Sequence, residues 1–213
     1  MKKKLLLIGG GGHCKSCIDV IEAEGKYKVE GIIDSGDKIG TQLLNYRVIN
    51  TDDSIENYIN EGYVFLITIG QIKSYKRRKE IYQMLESKSA NIATVISPSA
   101  LVSNYSSIGQ GSIIMHGVQI NAGAIVGNNV IVNTNSLIEH DAVIGNHVHI
   151  STHAIVNGAA RVEENCFIGS NAVLVQEVLV GKNIIIGAGS VIISDIINPG
   201  IYAGNPAKKI KDV

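Results

Sequence analysis

The sequence predicts two joined folds: a small parallel α/β domain over residues 1–96 and a parallel β-helix with a C-terminal tail over residues 97–213. The first observation behind this prediction is a period. From Val102 to Ile192, every sixth residue is Val, Ile or Leu, without an insertion. The second is that the preceding residues lack this period and alternate strand-like with helix-like segments. Because a period of six fits neither an α-helix nor a single strand, it indicates a solenoid of short strands and turns.

The N-terminal segments predict a small, Rossmann-like parallel sheet, because strands alternate with helices. The predicted order is a strand at 4–8, a helix at 14–24, strands at 28–34 and 64–69, a helix at 74–86 and a strand at 91–96. Ligands of such sheets bind beyond the carboxyl ends of the strands. Those ends carry the residues that we expect to bind a substrate, namely Gly11, Gly12, His13, Asp34 and Gly70.

The glycine run at 9–12 allows three interpretations. A dinucleotide fingerprint would need a glycine at position 14, which is Cys14, so NAD binding is disfavoured. The other two are a tight strand-to-helix turn and a cradle for a phosphate or a sugar nucleotide at the helix N-terminus. In the last case, Asp34 is placed to accept hydrogen bonds from a ribose or a base.

The six-residue repeat has further regular positions. Two places before each aliphatic residue stands a small or β-branched residue, as at Ala124 and Ser136. The residue directly after the aliphatic one is often Gly or Asn, as at Gly127 and Asn133. We expect the small residues to face inward beside an aliphatic column. We expect Gly and Asn to supply the positive φ angle of a tight turn. Stacked coils would then bury a column that no single repeat could bury.

Composition limits the partners and the compartment. Nineteen Lys and Arg residues balance nineteen Asp and Glu residues, which predicts no nucleic-acid-binding or membrane surface. The first apolar run is too short for a signal peptide, and no segment approaches the ~20 apolar residues of a membrane helix. Three cysteines make no disulfide framework, so we expect a cytoplasmic protein. The motif from Cys14 to Cys17 lacks the flanking pattern of redox proteins. The basic run at 75–79 is interpreted as a solvated helix face, or as one whose N-terminal end, near Gly70, approaches a pyrophosphate.

Several segments resemble one known family along the whole chain. They are Gly11-Gly12-His13, Ile33-Asp34, residues 133–140 (NTNSLIEH), residues 145–151 (GNHVHIS) and residues 203–208 (AGNPAK). In these segments the chain resembles the sialic-acid O-acetyltransferase-like family of hexapeptide-repeat acyltransferases, which includes bacterial N-acetyltransferases of nucleotide-linked amino sugars. The resemblance implies a left-handed β-helix with about eighteen residues per coil. It also implies acetyl-CoA as cosubstrate, no metal, and trimers that hold CoA between adjacent prisms.

The resemblance also implies residue roles. His140, followed by the acidic Asp141, matches the catalytic base of the family, and His149 matches a histidine at the acetyl-CoA end. By their places in the repeat, His140 lies on a corner and His149 points outward, and an imidazole suits proton transfer at neutral pH. Gly158 stacks one coil above His140, where its N–H would stabilise the oxyanion. A zinc site among the four histidines between residues 140 and 153 is an alternative, disfavoured by their strand parity.

We therefore predict an acetyl-CoA-dependent N-acetyltransferase that acts on the 4-amino group of a nucleotide-linked 4-amino-4,6-dideoxyhexose in bacterial surface-glycan synthesis. The alternatives are an O-acetyltransferase of a sialic-acid-like sugar and a non-catalytic protein that binds sugar nucleotides. Asn133 is expected at the sugar nucleotide, together with the five N-terminal residues named above. The residues expected at acetyl-CoA are His149, Gly158, Gly187, Ala188 and Lys208.

A homotrimer is expected for two reasons. A single prism offers no deep cleft for the pantetheine arm of CoA, and grooves between subunits commonly provide one. In addition, the run Ile184-Ile185-Ile186 must leave at least one apolar side chain facing outward, where a partner would cover it.

Overall fold

The computed structural model describes residues 2–212. Its N-terminal part is a six-stranded sheet with the strand order β3-β4-β2-β1-β5-β6. Neighbouring strands are parallel except for the antiparallel pair β3–β4. The elements are β1 (Lys3–Ile8), α1 (Gly12–Glu24), β2 (Tyr27–Ile33), β3 (Gln42–Leu43), β4 (Tyr46–Asn50), α2 (Ile55–Asn60), β5 (Val64–Ile67), α3 (Lys76–Ser87) and β6 (Asn91–Ile92).

The central strand β1 explains why this sheet forms. Its last four residues, from Leu5 to Ile8, are fully buried, as expected for a parallel strand covered on both faces. Helix α1 begins at Gly12 and ends at Glu24, and the next residue, Gly25, adopts the left-handed conformation that commonly terminates helices. The crossover from β1 through α1 to β2 therefore places a glycine-rich turn directly at the carboxyl end of β1.

The C-terminal part is a parallel β-helix whose short strands form three sheets, which we call faces 1, 2 and 3. Face 1 is completed by an antiparallel C-terminal hairpin, β24 (Gly200–Gly204) and β25 (Ala207–Lys211). The other face 1 strands are β7 (Val95–Ile96), β10 (Ile113–Ile114), β13 (Ile131–Val132), β16 (His149–Ile150), β19 (Phe167–Ile168) and β22 (Ile184–Ile186). Face 2 contains β8 (Leu101–Val102), β11 (Gln119–Ile120), β14 (Leu137–Ile138), β17 (Ile155–Val156), β20 (Val173–Leu174) and β23 (Val191–Ile192). Face 3 contains β9 (Ser107–Ile108), β12 (Ile125–Val126), β15 (Val143–Ile144), β18 (Arg161–Val162) and β21 (Leu179–Val180).

The repeat positions have the inward orientation that the sequence predicted. From Ile114 onward, the aliphatic residues of the series are buried in the column, and so are small residues such as Ala124 and Ser136. The prediction for the turns is wrong, however. Positive φ angles occur three places after the aliphatic residue, as at Asn129 and Asp141, and not directly after it.

The glycines that directly follow an aliphatic residue have a steric role instead. A Cβ atom at Gly145 would lie 2.8 Å from the backbone nitrogen of Glu164 in the next coil. A Cβ atom at Gly169 would lie even closer to the backbone nitrogen of Ala188, at 2.6 Å. Successive coils therefore approach too closely at these points for any side chain, which is why glycine recurs there.

The boundary between the two folds is earlier than predicted. The segment at 91–96, predicted as one strand, is two: β6 pairs with β5 in the N-terminal sheet, and β7 pairs with β10 in the β-helix. The chain therefore changes sheets between Ile92 and Val95, a few residues before position 97. The hairpin β3–β4 and the short helix α2 were not predicted.

The N-terminal domain packs on face 1 of the β-helix. In each face 1 strand, one side chain points away from the column, and these residues form a row along the prism. The first four members of the row are buried beneath the N-terminal domain, whereas the last two are only half-buried. The row consists of Val95, Ile113, Ile131, His149, Phe167 and Ile185.

Candidate active site

A cleft of about 920 Å³ opens at the carboxyl ends of β1, β2 and β5. It contains the five N-terminal residues that were predicted to bind the substrate, Gly11, Gly12, His13, Asp34 and Gly70. The sixth predicted residue, Asn133, lies on the β-helix instead, with its Nδ2 3.4 Å from Nε2 of His149. The cleft also contains the cationic side chains of Lys38, Lys73 and Arg77, of which Arg77 belongs to the basic run at 75–79.

Two glycines of the cleft have no packing reason to be glycine. A Cβ atom at Gly11 or Gly12 would meet no atom within 4 Å, so the protein itself leaves this backbone open. Gly9 differs, because its φ angle is +103° and a Cβ atom there would collide with Ile69. Gly9 therefore builds the turn, while Gly11 and Gly12 leave the N-terminus of α1 accessible to an anionic ligand.

Asp34 organises the floor of the cleft. Its Oδ2 accepts a hydrogen bond from the N–H of Gly10 at 2.6 Å, and its Oδ1 accepts one from the N–H of Ser35 at 2.7 Å. Nζ of Lys38 lies 3.0 Å from Oδ2. Partial burial raises the pKa of Asp34, but the hydrogen bonds from Ser35, Gly10 and Lys38 outweigh it and hold the pKa below its usual value. The carboxylate is thus ionised and ties the glycine turn to the end of β2.

A histidine–carboxylate pair lies on the corner between β14 and β15. Nδ1 of His140 is 2.9 Å from Oδ2 of Asp141, which adopts a left-handed φ of +60°. Glu139 supports the corner, since its Oε2 accepts hydrogen bonds from the His140 N–H at 3.2 Å and from Nδ2 of Asn121 at 2.8 Å. The hydrogen bond to Asp141 raises the pKa of His140, and both side chains are about two-thirds exposed.

Gly158 lies over the ring of His140, as the eighteen-residue stacking predicted. A Cβ atom at Gly158 would be 2.7 Å from both Nε2 and Cε1 of the imidazole. The coils are joined at this point by a hydrogen bond from the N–H of Ala159 to the carbonyl of His140, at 2.9 Å. Because Asp141 engages Nδ1, the nitrogen that faces Gly158 carries the lone pair and can accept a proton.

His149 is not exposed, which corrects the expectation from its outward position. It does point away from the column, but the N-terminal domain covers it and leaves 5% of it accessible. Its Nδ1–H donates to the carbonyl of Gln71 at 2.5 Å. His13 and the β-helix residue His147 lie in the same boundary, and we call His13, His147 and His149 the seam histidines. Burial lowers their pKa values to about 3, about 4 and about 4, respectively, so they are neutral at pH 7.

One other sequence interpretation needs correction, and the one made for the two N-terminal cysteines is supported. Arg78, in the basic run predicted to be a solvated face, is fully buried, and its Nη1 donates to the carbonyls of Ile67 and Ile69 at 2.6 and 3.1 Å. Cys14 and Cys17 are free and buried, and burial raises both thiol pKa values, that of Cys14 to about 11. Neither is a thiolate at neutral pH, so this motif does not support redox chemistry.

A second cavity, the face 1 groove, continues the row that contains His149. Its floor is Phe167 and Ile185, and the Phe167 ring packs edge-on against His149 with centroids 5.2 Å apart. Of the other residues predicted at acetyl-CoA, Gly187 and Ala188 directly follow the groove strand β22, and Lys208 is exposed on β25. Gly158 lies elsewhere, at His140.

Within the chain, the histidine pair and the two cavities are separate. The cleft and the groove are on the side of face 1, and neither is lined by His140, Asp141 or Gly158. Those three residues lie on the opposite corner, between faces 2 and 3. Among residues 2–212, no group of three or more His, Cys, Asp or Glu side chains is arranged to hold a metal ion. No helix in the same range is both long and apolar enough to span a membrane.

Comparison with known proteins assigns this arrangement to a family. Residues 4–85 match the PglD N-terminal domain, residues 159–194 match the bacterial transferase hexapeptide (six repeats), and residues 106–134 match the hexapeptide repeat of succinyl-transferase. The acetyltransferase domain of PglB from Neisseria gonorrhoeae is 33% identical over 98% of this chain and 100% of its own, with a TM-score of 0.90. The chain belongs to the hexapeptide-repeat nucleotide-amino-sugar N-acetyltransferases.

Two further structures resemble this N-acetyltransferase. A histidine-to-asparagine variant of perosamine N-acetyltransferase from Caulobacter crescentus, in complex with CoA and GDP-perosamine, is 29% identical over 98% of this chain and 97% of its own, with a TM-score of 0.91. WeeI from Acinetobacter baumannii, at 22% identity over 98% of this chain and 100% of its own and a TM-score of 0.84, shares the fold. A search of curated proteins found no significant match. The family confirms the predicted fold, an α/β domain followed by a left-handed β-helix, and the predicted class, an acetyl-CoA-dependent sugar N-acetyltransferase.

Proposed function

We propose that this N-acetyltransferase transfers the acetyl group of acetyl-CoA to the 4-amino group of a nucleotide-linked 4-amino-4,6-dideoxyhexose in bacterial surface-glycan synthesis, with His140 as the general base. The observation that carries the proposal is the His140–Asp141 pair, in which Asp141 engages Nδ1 and Nε2 faces Gly158. An imidazole that a carboxylate holds in one tautomer, with its other nitrogen beside the Gly158 backbone at an exposed corner, is arranged to remove a proton in its neutral form.

The chemistry needs no covalent intermediate on the protein. The sugar amine attacks the thioester carbonyl while Nε2 of His140 takes a proton from the nitrogen, and Asp141 stabilises the imidazolium that forms. The backbone N–H of Gly158 is proposed to donate to the oxyanion. As the carbon–sulfur bond breaks, the thiolate of CoA leaves and receives the proton from His140. The products are the amide and CoA.

The cleft is the proposed site of the nucleotide. Gly11 and Gly12 leave the α1 N-terminus open, which suits a diphosphate, and Lys73 adds positive charge to a cleft in which Lys38 and Arg77 are paired with Asp34 and Asp52. The Caulobacter relative is a perosamine N-acetyltransferase in complex with GDP-perosamine, a ligand of the same chemical class.

The face 1 groove is the proposed site of the pantetheine arm of acetyl-CoA. Its floor is apolar, and Lys73 and Lys76 supply positive charge at its rim for the pyrophosphate. Phe167 in the groove packs against His149, and Ile185 in the groove lies two residues before Gly187; both His149 and Gly187 are expected along the CoA site.

A homotrimer would bring the separated parts together. The corner with His140 is open in one protomer, and a neighbouring copy could place its cleft and groove against it. Face 2 supports such packing, because its outward row is largely apolar and remains half-buried or exposed in the protomer. That row consists of Leu101, Gln119, Leu137, Ile155, Val173 and Val191. We place the enzyme in the cytoplasm, where its three free cysteines would stay reduced.

The proposal is tested by measuring thiol release from acetyl-CoA with a panel of 4-amino sugar nucleotides and sialic acids. We expect turnover with an amino sugar linked to one nucleotide. His140→Ala should lower kcat roughly 10²- to 10⁴-fold, the usual contribution of general-base catalysis, at unchanged Tm. His153→Ala, which removes another exposed corner histidine, is the matched control and should retain activity. Turnover with sialic acids alone would favour O-acetylation, and near-wild-type kcat in His140→Ala would refute the base assignment.

A further inference from the structure

One short segment separates the two cavities. Residues 72–74, which we call the shared wall, line both the cleft and the face 1 groove. They lie between β5 and α3, and Ile72 is 66% exposed. A ligand in either cavity would therefore contact the same three residues from opposite sides.

The shared wall is attached to the β-helix through Gln71, which is 2% exposed. The side-chain Nε2 of Gln71 donates to the carbonyls of His147 and Cys166, at 2.9 and 3.1 Å. Its main-chain carbonyl accepts the Nδ1–H of His149. Gln71 thus bonds to β16, through His149, and to the residue that directly precedes the neighbouring strand β19, Cys166.

The segment before the wall is also fixed. Arg78 donates to the carbonyls of Ile67 and Ile69, which holds the end of β5 in place. The shared wall therefore begins at a rigid support and is itself exposed on both sides. A ligand can order such a segment, and a change in the position of the segment alters the shape of both cavities.

We propose that Gln71 is a positioning residue that couples the two substrate sites through the shared wall, so that nucleotide and CoA bind with positive cooperativity. The inference rests on the proposed function, which assigns the cleft to the nucleotide and the groove to CoA. The first ligand orders the wall, and the second ligand binds without that ordering cost. The floor of the groove belongs to the β-helix, so the wall closes it at a defined distance only while Gln71 holds it there.

The coupling can be measured by isothermal titration calorimetry on the full chain. The probes are CoA and the nucleotides UDP, dTDP and GDP, which cannot react with each other. In the wild-type protein, the nucleotide that binds should tighten CoA binding about 5-fold or more, and CoA should tighten nucleotide binding by the same factor. Gln71→Met keeps the length of the side chain but removes its donor, and should bring this factor to about 1.

Two further variants make the result decisive. Gln83→Met makes the same chemical change at an exposed position of α3 and should retain the coupling. Ile72→Ala alters the exposed wall itself and should also bring the factor toward 1, even if Gln71→Met does not fold. Retention of coupling in either Gln71→Met or Ile72→Ala would overturn the inference, as would independent binding of both ligands to the wild-type protein. Failure of all three nucleotides to bind would instead overturn the proposed function, and this inference with it.

Discussion

Replacing Gly158 by alanine tests the geometry of the proposed base most directly. The new Cβ atom would lie 2.7 Å from Nε2 and Cε1 of His140, whereas ordinary contacts begin at 3.4 Å. The imidazole must therefore move, and it can, because its side chain is about two-thirds exposed. The backbone at Gly158 has no positive φ angle, so alanine fits the main chain itself. The change should displace the base and leave the fold intact.

The size of the effect follows from the displacement. A misplacement of about 1 Å in a reacting group costs on the order of 10²-fold in rate. We therefore expect Gly158→Ala to lower kcat roughly 10- to 100-fold, with the KM for the sugar nucleotide little changed. The N–H of residue 158 is retained, so the variant affects the position of the base rather than the oxyanion donor. The assay is thiol release from acetyl-CoA, with Tm measured in parallel.

Gly145→Ala is the matched control, because the same substitution there should lower Tm and leave His140 in place. Its Cβ atom would meet the backbone of Glu163 and Glu164 in the next coil, at 2.9 and 2.8 Å, and backbone cannot rotate away. Overpacking of this kind costs about 1–3 kcal/mol, which for a chain of this size is a decrease in Tm of several degrees. Wild-type kcat in Gly158→Ala, or an equal loss of Tm in both variants, would refute the reasoning.

Two further predictions concern the cleft and the seam histidines. Asp34→Ala should raise the KM for the sugar nucleotide about 10-fold, since it removes charge-assisted hydrogen bonds to the glycine turn. The KM for acetyl-CoA should stay unchanged. Asp37→Ala is the control, and equal effects of Asp34→Ala on both KM values would contradict the assignment. The seam histidines have pKa values lowered from 6.5, so folding stability should fall as the pH drops below about 6.5 toward about 4. His149 alone should contribute on the order of 2 kcal/mol of this loss at pH 5, measurable by urea denaturation; stability that is flat from pH 7 to 5 would contradict its burial in the neutral form.

The β-helix was predictable because its determinants are local and repeated. Each coil places the same residue types at the same positions, so the period in the sequence directly reports the period of burial. The stacking of Gly158 over His140 could be predicted for the same reason, since it needs only the number of residues per coil. The carboxyl ends of β1, β2 and β5 converge in any parallel sheet, which is why Asp34 and Gly70 were placed correctly at one cleft.

The parts that were missed depend on how the two domains pack. Gln71 lies in a loop without periodicity, and its partners His147 and Cys166 are distant in sequence. Nothing in a local pattern indicates such bonds. The burial of His149 does have a sequence signal: the outward residue of every third repeat, from Val95 to Ile185, is apolar or aromatic except at His149 itself. An outward row of that kind indicates a covered face.

A complementation experiment can decide whether the site is shared between subunits. If His140 of one protomer serves the cleft of its neighbour, a site is active when one subunit supplies an intact His140 and the next supplies an intact cleft. His140→Ala and Asp34→Ala subunits, each impaired alone, should then restore activity when co-expressed and co-purified as mixed trimers. Random assembly in equal amounts would regenerate about one quarter of the wild-type sites in a cyclic trimer. A site built within one protomer would never have both parts intact in such mixtures. Mixed trimers that are no more active than the two parent variants, at a sugar-nucleotide concentration below KM, would therefore refute the shared site, even if sedimentation shows a trimer.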